Sequence, residues 1–118
     1  MEMGRKEPET WVYEIPLGTI SGEVAAAIGS KKDELFSARR GRQGSRGRGI
    51  VAYLGRSIAG YRVKEIADHF GRSSVTVSEA IAKVEDLLRE DRAFAKGLKL
   101  LTEKLIKGRR RKHRITEA

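Results

Sequence analysis

The sequence predicts an all-α fold: a small helical bundle containing a helix-turn-helix, with an extended N-terminal arm and a basic C-terminal tail. Three observations predict it. Apolar residues recur at helical spacing in one segment after another. Glycines and capping residues punctuate those segments where helices stop and start. Both prolines, Pro8 and Pro16, fall in the opening stretch, which has no helical period. With 118 residues, 39% of them apolar, the chain can bury one core, so a single domain over 19–107 is expected between an arm at 1–18 and a tail at 108–118.

The arm carries Trp11, Val12, Tyr13 and Ile15, which could dock on the core or form a β-like linker. Thr19 or Ser21 is expected to cap a first helix with Ile20, Val24, Ala27 and Ile28 on one face and Gly29 at its end. Asp33 to Phe36 fits a short helical turn with Leu35 and Phe36 as core plugs. From Arg39 to Gly49, five arginines and four glycines share eleven positions. Glycine at that density costs helix stability, so the segment reads as a basic loop able to lie along a phosphate chain, turning helical only from about Arg46. Ile50, Tyr53, Leu54, Ser57 and Ile58 mark the next helix, which stops at Gly60.

Val63, Ile66, Ala67 and Phe70 then mark a short amphipathic helix ended by Gly71, and Ser73 or Ser74 caps the helix that follows. That second helix has the stripe Val77, Ile81, Val84 and Leu88. Asp91 caps a final helix with Phe94, Leu98, Leu101 and Leu105 inward, and Lys107 to Arg114 is a cationic run expected to fray, read as a non-specific DNA tail ahead of a solvated terminus.

Helix, glycine, polar cap, helix is the pattern of a helix-turn-helix, whose second helix enters a DNA major groove by its N-terminal end. It is also the pattern of an ordinary αα-hairpin. Charge favours the first reading. Residues 1–38 carry 4 Lys/Arg against 7 Asp/Glu, and residues 39–118 carry 21 against 9. A basic half of this kind suits a polyanion, with nucleic acid ahead of an anionic membrane. Ser73, Ser74, Val75, Thr76 and Glu79 are the candidate major-groove residues; hydroxyls can meet a base edge or a phosphate, and methyls can meet a thymine methyl. Lys83 is on or near the same outer side and is assigned to phosphate.

Other chemistries find little support. Cysteine is absent, which excludes disulfides and thiolate metal sites and is compatible with a reducing cytosol. Two separated histidines, His69 and His113, do not make a metal site. His69 beside Asp68 has no recognisable nucleophile partner, and Glu23, Asp33 and Glu34 read as surface carboxylates. The Gly41 to Gly44 spacing matches a single-strand clamp but lacks the surrounding strands. No signal peptide is visible, and no apolar run of about 18 residues could span a membrane. No catalytic residue, metal, cofactor or small-molecule substrate is expected; the protein is read as cytoplasmic and nucleoid-associated, monomeric or dimeric, and not an enzyme.

The stretch from about Ile20 to Leu105 resembles the C-terminal DNA-binding domain of the bacterial replication initiator DnaA. Arg46-Gly47-Arg48-Gly49-Ile50-Val51-Ala52-Tyr53-Leu54 is similar to that family's helix start, which ends in Ala-Met-Tyr-Leu. Val63 to Gly71 is similar to Leu-Pro-Glu-Ile-Gly-x-x-Phe-Gly, and Arg72 to Val77 to Arg-Asp-His-Thr-Thr-Val. The resemblance implies that Arg40, with Arg42 nearby, probes the minor groove, and that Arg56 meets a phosphate. It implies that Val63 and Lys64 touch the backbone through main-chain N–H groups, and that Ser73 to Thr76 read bases. Arg46, Arg48 and Arg72 complete the expected phosphate set. Both serines depart from the family's aspartate and histidine, Val75 replaces a threonine, and one glycine of a Gly-Gly pair before Arg72 is missing, so a different target site is expected. No Gly-x-x-x-x-Gly-Lys-Ser/Thr loop is present, so no ATPase activity is expected. Similar domains occur as tails of transposases associated with repetitive palindromic elements, which together with an RNA-binding module and a protein-interaction adaptor forms the set of alternatives.

Overall fold

A computed structural model describes residues 11–31, 35 and 42–113, with the backbone alone at 11, 42–44, 112 and 113. Five helices and a two-stranded ribbon are described: β1 (Trp11–Tyr13), α1 (Leu17–Ala27), α2 (Arg42–Ser57), α3 (Val63–Phe70), α4 (Ser74–Glu90), α5 (Arg92–Ile106) and β2 (Arg111–His113). The all-α expectation therefore holds. No helix among the described residues is long and apolar enough to cross a membrane.

The core is one cluster. Ile15, Ile20 and Val24 meet Leu35, Ile50, Val51 and Leu54, then Ile66, Phe70, Val77 and Val84, and finally Leu98 and Leu105. The central helix α2 packs on α1 and α4; α3 leans on α4, and α5 closes the far side against α4 and α1. The apolar stripes foreseen for α4 and α5 do face inward: Val77, Val84, Leu98 and Leu105 are buried, with Ile81, Leu88, Phe94 and Leu101 partly so.

Ala27, expected on the inward face of the first helix, is exposed, and Ala25 is buried in its stead. The structure differs from expectation in three larger ways. Helix α1 starts at Leu17, not behind Thr19 or Ser21: extended Pro16 (φ −61, ψ 144) offers its carbonyl to the N–H groups of Thr19 and Ile20. Proline suits a helix start because its fixed φ costs nothing there. Helix α2 starts at Arg42, four residues before the expected onset. Close packing at two of its glycines anchors the helix that runs back to Arg42. A Cβ on Gly47 would collide with Leu35 and Ile28, and one on Gly49 would lie 3.2 Å from Val84 Cγ2 and 3.3 Å from the Ala80 carbonyl. Third, the expected fraying tail includes a strand. Arg111–His113 pairs antiparallel with Trp11–Tyr13, in the register Trp11 to His113, Val12 to Lys112 and Tyr13 to Arg111. Asp33, Glu34, Phe36 and Arg39 to Gly41 lie outside the described residues, while Leu35 is helical and buried.

Candidate nucleic-acid interface

The elbow between α3 and α4 is built by main-chain bonding. Gly71 is left-handed at φ 65 and ψ 38, a conformation that an L side chain resists. It lets Arg72 N–H reach back to Ala67 O at 2.9 Å and Gly71 N–H to Asp68 O at 3.3 Å, the Schellman closure of a helix end. Ala67 and Val77 are both buried, so the two helices meet at close range. The start of α3 is held by Glu65, whose carboxylate accepts the Arg62 N–H at 2.7 Å.

Ser73 is the cap of α4. Its Oγ accepts the Thr76 N–H at 3.1 Å and lies 2.9 Å from Thr76 Oγ1. Two of the candidate reading hydroxyls therefore bond to each other, and their first role is to set the helix start. Ser74 opens the helix exposed, and Val75 beside it is 67% exposed, which is unusual for a large apolar side chain.

A groove of about 420 Å³ runs between α2 and α4. Arg46 and Ser45 line one wall and Thr76, Glu79 and Lys83 the other. The fold thus brings together four candidates that are distant in sequence, Arg46, Thr76, Glu79 and Lys83, all exposed. Ser45 was missed by sequence reasoning. Its signal was its place one helical turn before Gly49, visible only once the arginine-glycine segment is taken as helix.

The remaining candidates divide. Arg48 is half-buried and donates from Nη1 to the Leu35 carbonyl at 3.0 Å. Burial lowers its pKa from the ordinary arginine value, and the nearby Arg72 charge adds to that effect. Arg48 and Arg72 are thus two cations held in proximity, with the small cavity between α2, α3 and α4 lined by both. Arg56 donates weakly to the Tyr61 carbonyl at 3.4 Å, at the turn leading into α3. Lys64 is exposed, 4.0 Å from Asp68, a surface pair of little energetic weight. Val63 is partly buried, its side chain packed against the core. Arg40 lies outside the described residues, and Arg42 is described only as the first backbone residue of α2.

Comparison with known proteins agrees with this geometry. Residues 18–84 match the family described as the bacterial dnaA protein helix-turn-helix. The chain is 35% identical over 88 residues to the chromosomal replication initiator protein DnaA of Bartonella quintana (strain Toulouse), covering 74% of this chain and 18% of that protein. It is 33% identical over 92 residues to that of Caulobacter vibrioides (strain NA1000 / CB15N), covering 77% and 19%. It is 30% identical over 92 residues to that of Anaplasma marginale (strain St. Maries), covering 77% and 20%. The chain thus spans about a fifth of the length of the curated relatives it matches. With the matched region running from α1 through the elbow into α4, the chain belongs to the bacterial DnaA helix-turn-helix family.

Proposed function

We propose that this chain binds double-stranded DNA and reads its sequence, with α4 in the major groove, the start of α2 toward the adjacent minor groove, and no ATP hydrolysis. One observation carries the reading. The first turns of α4 are uncovered at Ser74, Val75 and Glu79, and the cations Arg46 and Lys83 share the groove that runs beside them. A helix N-terminus with free N–H groups and flanking cations attracts phosphate, and short side chains let the helix sit close to base edges.

Within this reading the residues take separate tasks. Ser74 offers a hydroxyl and Val75 its methyls to base edges, the latter suited to thymine. Glu79 accepts from a cytosine amino group. Ser73 and Thr76 hold the helix start and offer what hydrogen-bonding capacity remains. Arg46, Arg56, Lys64, Arg72 and Lys83 meet phosphates, with Val63 contributing its main-chain N–H. Arg48 contributes a charge from behind them. The family resemblance assigns Arg40 and Arg42 to the minor groove. The absence of ATPase activity is supported by the lack of a Gly-x-x-x-x-Gly-Lys-Ser/Thr loop. A nucleoid location follows from the same reading.

Selection of binding sites from a random duplex pool tests it, followed by competition with structured RNA at equal salt. An enriched duplex motif that outcompetes RNA is expected. A preference for RNA, or an unenriched pool, would sink the proposal.

A further inference from the structure

The ribbon forms a second cationic surface, separate from the helix-turn-helix. Lys107, Arg109, Arg110 and Arg111 are all exposed, and no acid lies between them in the sequence. Arg109 is held at the end of α5 by its Nε bond to the Leu105 carbonyl at 3.2 Å. Glu14, also exposed, continues the register opposite Arg110 and extends the ladder by donating its N–H to Arg110 O at 2.9 Å, so one carboxylate stands beside four cations.

The ribbon is fastened where it matters. Tyr13 N–H donates to Ile58 O at 2.7 Å, and Tyr61 Oη donates to Ile15 O at 2.8 Å. Val12 is buried against Gly60, where an added Cβ would lie 3.1 Å from Val12 Cγ1. The same turn, from Ile58 to Arg62, receives the Arg56 guanidinium and leads directly into Val63 and Lys64. Hydrogen bonding therefore joins the basic segment, through β1, to the start of α3, which the DNA reading places against phosphates. Both strands lie outside residues 18–84, the part that matches the family.

We propose that the ribbon is a second grip on the DNA backbone, meeting phosphates on the flank of the site nearest the start of α3 through Arg110 and Arg111. This rests on the DNA-binding reading above and deepens it. Strand pairing holds the basic segment before DNA arrives, so less chain entropy is lost on binding than for a free tail. Contacts of this kind add affinity and salt dependence but carry no sequence information.

The test uses the full chain and a duplex bearing its selected site with extended flanks. Binding is measured against salt, and the backbone is footprinted with hydroxyl radicals. The variant is Arg110→Ala with Arg111→Ala, matched to the parent by circular dichroism, with Arg110→Ala alone as a second variant and the double lysine replacement as the charge-preserving control. The expected loss is about two units of log K against log salt slope, since each phosphate contributes about 0.9. Protection of one flank should disappear, the ratio of selected to random duplex binding should stay unchanged, and lysines should restore the slope. A parental slope in the alanine variants, or parental protection spread over both flanks, would overturn the ribbon proposal alone. Failure of the parent to bind any duplex would overturn the DNA reading and the ribbon with it.

Discussion

The Ser21 hydroxyl lies 3.3 Å from Nε2 of His69, across 48 residues of chain. Ser21 is fully buried in α1 and His69 half-buried in α3, where its ring also meets Phe70 edge-on at 4.9 Å between centroids. The first helix is thus tied to the first helix of the helix-turn-helix by a polar contact inside an apolar core. Ser21→Ala should cost about 1 kcal/mol, near the usual net worth of one hydrogen bond, because half-buried His69 can still turn toward water. Urea unfolding measures it. An unchanged midpoint would mean that the contact contributes nothing.

Two glycines inside helices should respond in opposite directions. Gly49 faces the Ala80 carbonyl and Val84 across the α2–α4 crossing, whereas Gly97 in α5 has nothing within 4 Å of an added Cβ. Gly97→Ala should stabilise by about 0.5–1 kcal/mol through helix propensity alone. Gly49→Leu should destabilise by about 1–3 kcal/mol by forcing the crossing apart. Thermal melts of the two variants check both signs.

Tyr61 titrates late. Burial raises its pKa above the ordinary tyrosine value and outweighs a backbone hydrogen bond at Leu17 that lowers it, with Glu65 adding a smaller upward push. The folded state therefore holds the phenol proton more tightly than the unfolded chain does. This contribution is complete below the unfolded value of about 10 and is lost as pH rises through the raised folded value. Deprotonation also removes the donor to Ile15 O. Urea stability should fall above about pH 10, and Tyr61→Phe should flatten that fall while lowering stability at neutral pH. An identical alkaline profile in the variant would count against this role.

At the start of α4, neighbouring residues should separate stability from recognition. Ser73→Ala removes the cap bonded to Thr76 and should cost about 1 kcal/mol of folding stability. Val75→Ala, at an exposed position, should leave stability alone and cost about 1–3 kcal/mol of binding on the selected site and little on random duplex. Calorimetric melting and paired titrations read the two effects. Loss of binding on both duplexes alike would show that Val75 does not touch a base.

The elbow, the caps at Ser73 and Asp91 and the inward stripes were legible because each is local: a glycine after an apolar face, a polar residue before one. The start of α2 was not, because glycine's local helix penalty argues for a loop up to about Arg46, whereas the helix anchored by close packing at Gly47 and Gly49 continues back to Arg42. Ser21 has the residue type of a cap, but α1 begins four residues earlier behind Pro16, and the serine hydroxyl meets His69 of α3, a partner that no window around α1 contains. The ribbon was hidden for a related reason. Three residues pair with three others nearly the whole chain away, and only the β-branched and aromatic character of Trp11-Val12-Tyr13 hinted at it. In the candidate site, residue types were readable but their employment was not. Thr76 and Ser73 look alike as hydroxyl donors until their mutual bond is seen.

The ribbon also decides how the molecule bears load. Trp11 and His113 are partners in the ladder, so a pull applied at these two residues acts across the strands. It opens the ladder like a zipper, one rung at a time, each worth only about 1 kcal/mol. Tension transmitted through the flanking chain would peel β2 from β1 before any force reached the helices, and the helical core would stay folded behind an opened clasp.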